Sequence, residues 1–126
     1  MNSWDIRSLQ VGPGPEVVST TDDARAIVLE IQEGGSLKDH QVHERAWVTV
    51  VQGDVEFTTT GGNTVTGGPG LMVEFAPGER HAVYAQSTAR LLLLLTPWPG
   101  RGHPGTMTLE ERASVRQRAA EHDMSP

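Results

Sequence analysis

The chain carries five histidines, His40, His43, His81, His103 and His122, and no cysteine. Neutral imidazole ligates borderline transition metals, and its ordinary titration crosses the neutral range, so the same ring can also serve as a general base. With no thiolates, disulfide frameworks and cysteine-zinc centres are excluded. His40 and His43 flank the start of one strand, while His81 follows the turn Phe75-Ala76-Pro77-Gly78 and opens another. Two strands can aim such rings into one cavity. A set of His40, His43 and His81 with open coordination positions suits Fe(II), Ni(II), Cu(II) or Zn(II). His43 stands on the opposite strand parity from His40, so a bulge or loop near the strand end has to redirect it. His103, between Gly102 and Pro104, reads as a loop residue, and His122 as a helix C-terminal residue.

Positioning these rings requires strands. From Glu16 to Thr96 the sequence repeats runs of four to eight residues rich in Val, Ile, Leu, Thr and Phe, separated by Gly, Pro, Asn or Asp. That rhythm predicts an all-β sandwich or barrel. Ile27, Leu29 and Ile31 alternate with Val28, Glu30 and Gln32, and Val55, Phe57 and Thr59 alternate with Glu56, Thr58 and Thr60, as in half-buried strands. Gln52-Gly53-Asp54 and Gly61-Gly62-Asn63 read as hairpin turns. Leu91 to Leu95 is apolar at every position, so both of its faces need cover. It is either a central strand or lies beneath the terminal segments or a second subunit. Trp47, on the opposite parity from Val48 and Val50, can contribute to such a self-associating surface.

Beyond Thr96 the pattern changes. Pro97, Pro99, Gly100, Gly102, Pro104 and Gly105 make residues 97–107 a connector that holds neither ladder nor helix. Thr108-Leu109-Glu110-Glu111 is a capping box that opens a predicted C-terminal α-helix over residues 108–122. Leu109, Ala113, Val115 and Ala119 give this helix a thin apolar stripe. The chain thus reads as a single domain, residues 1–126, with its barrel at residues 16–96.

Composition narrows the function classes. The chain has 126 residues, 14 Gly and 8 Pro, a share too high for a helical bundle. A formal charge of −6, with Lys38 the sole lysine, opposes binding to phosphate backbones, so no nucleic acid partner is expected. The longest apolar run, Leu91–Leu95, is too short to cross a bilayer, so no membrane partner is expected either. The start, MNSWDIRSLQ, lacks the basic and apolar regions of a secretory leader, which predicts a cytoplasmic protein.

Two stretches resemble the cupin motifs. Gly34-x5-His40-x-Val42-x3-Ala46-x6-Gly53 falls in register with the first, whose usual residues are Gly, His, His, Glu and Gly. Gly70-x5-Ala76-x-Gly78-x2-His81-x3-Ala85 falls in register with the second, usually Gly, Pro, Gly, His and Asn, and Pro77 stands one place after the motif proline. The resemblance covers Ile27 to Thr96 and implies a jelly roll, or double-stranded β-helix. It implies a homodimer as well. In the cupin family the first motif's two histidines and glutamate, with the second motif's histidine, hold a divalent metal. Only His40 and His81 match that set, since Val42 and Ala46 replace the other two ligands.

A largely apolar pocket follows, lined by Val42, Ala46, Val48, Val50 and Val83 beside the histidines. Three functions remain open. One is a metal-dependent, oxygenase-like enzyme acting on a small molecule, with apolar walls that exclude water. Another is a metal-free carrier or sensor of a small apolar ligand. The third is a metal-independent isomerase with His40 or His81 as base, although Tyr84, the only tyrosine, has the opposite parity to His81.

Overall fold

The computed structural model describes residues 1–12, 14–40 and 42–96, with backbone alone for Asp39 and His40. The connector and helix expected at residues 97–122, and with them His103 and His122, lie outside the described residues. Among the described residues no helix is long and apolar enough to cross a membrane.

The strands are β1 (Glu16–Thr20), β2 (Arg25–Ile31), β3 (Ser36–His40), β4 (Arg45–Gln52), β5 (Val55–Thr59), β6 (Thr64–Gly67), β7 (Met72–Phe75), β8 (His81–Ala85) and β9 (Ala89–Thr96). They form two antiparallel sheets, one ordered β1-β2-β9-β4-β7 and the other β3-β8-β5-β6. Alternation decides what each strand gives to the interior. Ile27, Leu29 and Ile31 of β2, Val48 and Val50 of β4, Phe75 of β7 and Leu91 and Leu95 of β9 come from the larger sheet. Val55 and Phe57 of β5 and Val83 and Ala85 of β8 meet them from the smaller one, and all join a single core. Full burial of side chains of this size is worth about 1.5–3 kcal/mol each before entropy is counted. This is the all-β architecture that the strand rhythm predicts, in the jelly-roll form that the cupin resemblance implies.

The two glycine turns differ in kind. Gly61-Gly62-Asn63 joins β5 to β6 as a hairpin, with Val55 to Thr58 facing Gly67 to Thr64. Gln52-Gly53-Asp54 does not make the hairpin expected from its sequence, because β4 pairs with β7 and β9 while β5 pairs with β6 and β8. It is instead a corner where the chain leaves one sheet for the other. A glycine run between alternating segments signals a reversal but not which strand each segment pairs with, and burial of both apolar faces settles the pairing here. Gly53 has φ of 82°, and a Cβ there would lie 2.3 Å from the Thr88 carbonyl oxygen. Asp54 locks the corner: its carbonyl accepts from the Gln86 and Ser87 amides, and its amide donates to Ser87 Oγ at 2.9 Å.

Leu91–Leu95 is central, since β9 lies between β2 and β4. Its inner residues are in the core, but on the outer face Leu94 is 41% exposed. Farther along that face, Arg90 is nearly buried and fastens the N-terminal segment. Its Nη1 donates to the carbonyls of Ile6, Arg7 and Leu9, and its Nη2 pairs with Glu30 at 3.1 Å.

Candidate functional site

His81 opens β8, and the turn before it is tightly built. Gly78, at φ of 77°, donates its amide to the Val42 carbonyl at 2.9 Å, which ties this turn to the segment between β3 and β4. Glu79 closes the turn, its Oε1 accepting from the Ala76 amide at 2.9 Å and its own amide donating to the Ala76 carbonyl. The chain therefore enters β8 with His81 directed inward, 5% exposed, on the same face as Val83 and Ala85.

Among the described residues, a ring stack and a hydrogen bond hold the imidazole. It stacks on Phe75, with ring centroids 3.9 Å apart and planes 6° from parallel, and Phe75 in turn meets Phe57 at 6.1 Å in a tilted contact. Nδ1 of His81 lies 3.0 Å from the Glu79 carbonyl oxygen. A carbonyl only accepts, so Nδ1 carries the proton and, in the neutral ring, Nε2 holds the lone pair. A defined tautomer in a defined plane is what a hydrogen-bond acceptor, a base or a metal ligand requires.

Two residues face His81 across the ladder. Thr59 of β5 is its direct partner on one side and His40 of β3 on the other. Thr59 Oγ1 is buried and has no hydrogen-bond partner among the described residues. A hydroxyl in that condition costs about 1–3 kcal/mol, which marks the position for explanation. A depression of 210 Å³ opens here, lined by Thr58, Thr59, Thr60, His81 and Ala82.

His40 reaches its register position through a bulge. Leu37 pairs with Val83, yet His40 rather than Asp39 pairs with His81, so β3 carries an extra residue between them. A regular ladder would put Asp39 opposite His81. His43 lies half-buried in the bend between β3 and β4, outside the ladder. Val42, Ala46, Val48, Val50 and Val83, expected along the pocket, are all 5% exposed or less and belong to the core cluster.

The resemblance implies a four-ligand metal centre, which these residues do not fit. Val42 and Ala46 stand at two of its positions, offer no donor atom and are packed in the core. Among the described residues no three His, Asp or Glu side chains gather where they could hold a metal ion. Glu74 points away, exposed and paired with Arg45 at 2.9 Å.

Phe75 and Thr59 are neighbours of His81 that the histidine spacing does not reveal. Thr59 was within reach of the sequence, because Val55 and Phe57 share its parity and face the core. Nothing local in the sequence identifies Phe75 as the stacking partner, since the contact joins strands of different sheets.

A family model, the cupin domain, matches residues 27–97. Solved structures show the same fold at low identity. A cupin protein from Desulfovibrio desulfuricans is 17% identical, with a TM-score of 0.69 over 76% of this chain and 96% of its own. KdgF from Halomonas sp. is 23% identical, with a TM-score of 0.61 over 72% of this chain and 87% of its own. The DMSP lyase DddQ from Ruegeria pomeroyi is 19% identical, with a TM-score of 0.62 over 75% of this chain but 54% of its own. No curated protein matches the sequence.

Proposed function

The chain belongs to the cupin domain family, and from that premise we propose that it binds a small molecule at the His81 end of the barrel. The observation that carries this reading is the fixed imidazole of His81 beside the buried hydroxyl of Thr59. The imidazole can bind a proton or a polar group, and the hydroxyl can donate or accept. A depression of 210 Å³ is small for a whole drug-sized ligand, so the site suits a compact molecule or one polar end of a larger one. The polar group of that ligand engages His81 and Thr59 while its apolar part lies against Ala82 and the face of the imidazole. Chemistry at such a site is proton transfer at the imidazole. Tyr84 is 45% exposed on the opposite face of β8, so it is not the acid partner that an isomerase would require.

The DMSP lyase among the structural relatives is an enzyme on the same fold, which favours a small-molecule role without naming a substrate. The test is a thermal-shift screen of small polar and amphipathic metabolites on the wild type, repeated on His81→Ala and Thr59→Val. The reading predicts at least one compound that raises Tm for the wild type and loses its effect in both variants. A compound that stabilises all three proteins equally would place binding elsewhere and overturn it.

A second reading keeps a divalent transition metal on His40, His43 and His81. It is favoured by the pairing of His40 with His81 and by the Nδ1 hydrogen bond to a backbone carbonyl, the usual arrangement behind a ligating imidazole. Elemental analysis of tag-free protein decides it: near-stoichiometric Fe, Ni, Cu or Zn, lost in His81→Ala, supports the metal. Equal trace metal in both proteins sinks it.

A further inference from the structure

An apolar groove lies away from His81, on the outer face of the five-stranded sheet. It has a volume of 450 Å³ and is lined by Trp47, Thr49, Met72, Leu92, Leu94 and Thr96. Met72 is 60% exposed and Leu94 41% exposed. Outward-facing strand positions in an antiparallel sheet are ordinarily polar. Here β4, β7 and β9 set apolar side chains next to one another, with Trp47 paired to Leu94 and to Glu74, and Thr49 to Met72 and Leu92.

We propose that this groove is the docking site of the chain's own C-terminal segment, residues 97–126, with Trp98 as its first anchor. Position supports this occupant. Thr96 is both the last residue of β9 and part of the groove wall, so the segment leaves the barrel at the groove itself. Trp98 follows two residues later, a span of about 7 Å at full extension, and Pro97 and Pro99 prevent β9 from simply extending its ladder. Tethering replaces a bimolecular encounter by a local concentration in the millimolar range, so even a weak apolar contact is occupied.

The other end of the same face supplies a precedent. Arg90, two residues before Leu92 on the outer face of β9, holds the carbonyls of Ile6, Arg7 and Leu9. One terminal segment is thus already tied to this face of the sheet. Downstream of Trp98, Met107, Leu109, Ala113, Val115 and Ala119 provide further apolar side chains for the same surface.

Limited trypsin digestion of the full-length protein tests the proposal, because Arg101, Arg112, Arg116 and Arg118 report on the segment. Leu94→Glu and Trp98→Ala both alter exposed or segment positions and spare the core, and an unchanged circular dichroism melt identifies folded protein. Each variant should be cut at these arginines about tenfold faster or more than wild type, while remaining in the same oligomeric state by light scattering. Equal cleavage in wild type and both variants overturns the proposal. So does a wild-type dimer that Leu94→Glu converts to monomer without exposing the arginines, which would assign the groove to a second copy. Should Leu94→Glu not fold, Met72→Glu replaces it with the same two outcomes.

Discussion

The imidazole of His81 lies flat against the ring of Phe75, 3.9 Å from centroid to centroid, and the two residues come from opposite sheets. The contact is therefore both a piece of the core and the platform of the candidate site. Phe75→Ala should cost about 3–5 kcal/mol, through a cavity beside His81 and Phe57. Urea denaturation measures it. Phe75→Leu retains most of the volume, so it should cost less while still removing the flat platform and weakening any ligand found at His81. A Phe75→Leu protein with undiminished ligand response would show that stacking does not orient the ring.

Thr59 separates function from stability. Its hydroxyl is buried without a partner among the described residues, so Thr59→Val removes a desolvated polar atom. Unfolding should show a neutral or slightly favourable change, up to about 1 kcal/mol, together with loss of ligand-induced stabilisation. A clear destabilisation would mean that the hydroxyl already serves the fold.

Gly53 and Gly62 offer a matched comparison, since both adopt left-handed backbone, at φ of 82° and 87°. Alanine at Gly62 meets nothing within 4 Å, so Gly62→Ala should cost only the conformational term of about 1–2 kcal/mol. Alanine at Gly53 would also collide with the backbone of Thr88 and Ala89. Gly53→Ala should therefore be the more damaging by at least about 1 kcal/mol, and equal melting temperatures would refute the corner geometry.

Arg90 ties the N-terminal segment to the barrel. Arg90→Met should cost about 2–4 kcal/mol, because carbonyls of Ile6, Arg7 and Leu9 lose a charged donor and Glu30 loses its partner. Amide hydrogen exchange should show residues 5–9 losing protection before the sheets do, and uniform loss across the barrel would contradict a local latch.

Acid should loosen the same segment. The Arg7 amide donates to Asp5 at 3.1 Å, and this hydrogen bond is the main reason that the Asp5 carboxyl titrates below its ordinary value. For a lowered carboxylate the stabilisation is complete above the ordinary pKa and disappears as pH falls through the lowered one. Protection of the Arg7 amide should therefore decline only in acid, and Asp5→Asn should flatten the profile.

Sequence alone determined the strands and their inward faces, because alternation with period two needs no knowledge of partners: Ile27, Leu29, Ile31, Val55 and Phe57 are core residues as that pattern requires. The motif spacing likewise led to the barrel and to His81. Pairing was decided by tertiary structure. Whether Gly53 makes a hairpin or a corner depends on which strands bury each other's faces, and the turn residues are compatible with both. The bulge that gives His40 rather than Asp39 the register position beside His81 is a property of the β3–β8 ladder, invisible in either strand alone. The stack of His81 on Phe75 and the open groove beside Leu94 arise in the same way, from contacts between segments distant in sequence, where packing rather than local propensity sets the geometry.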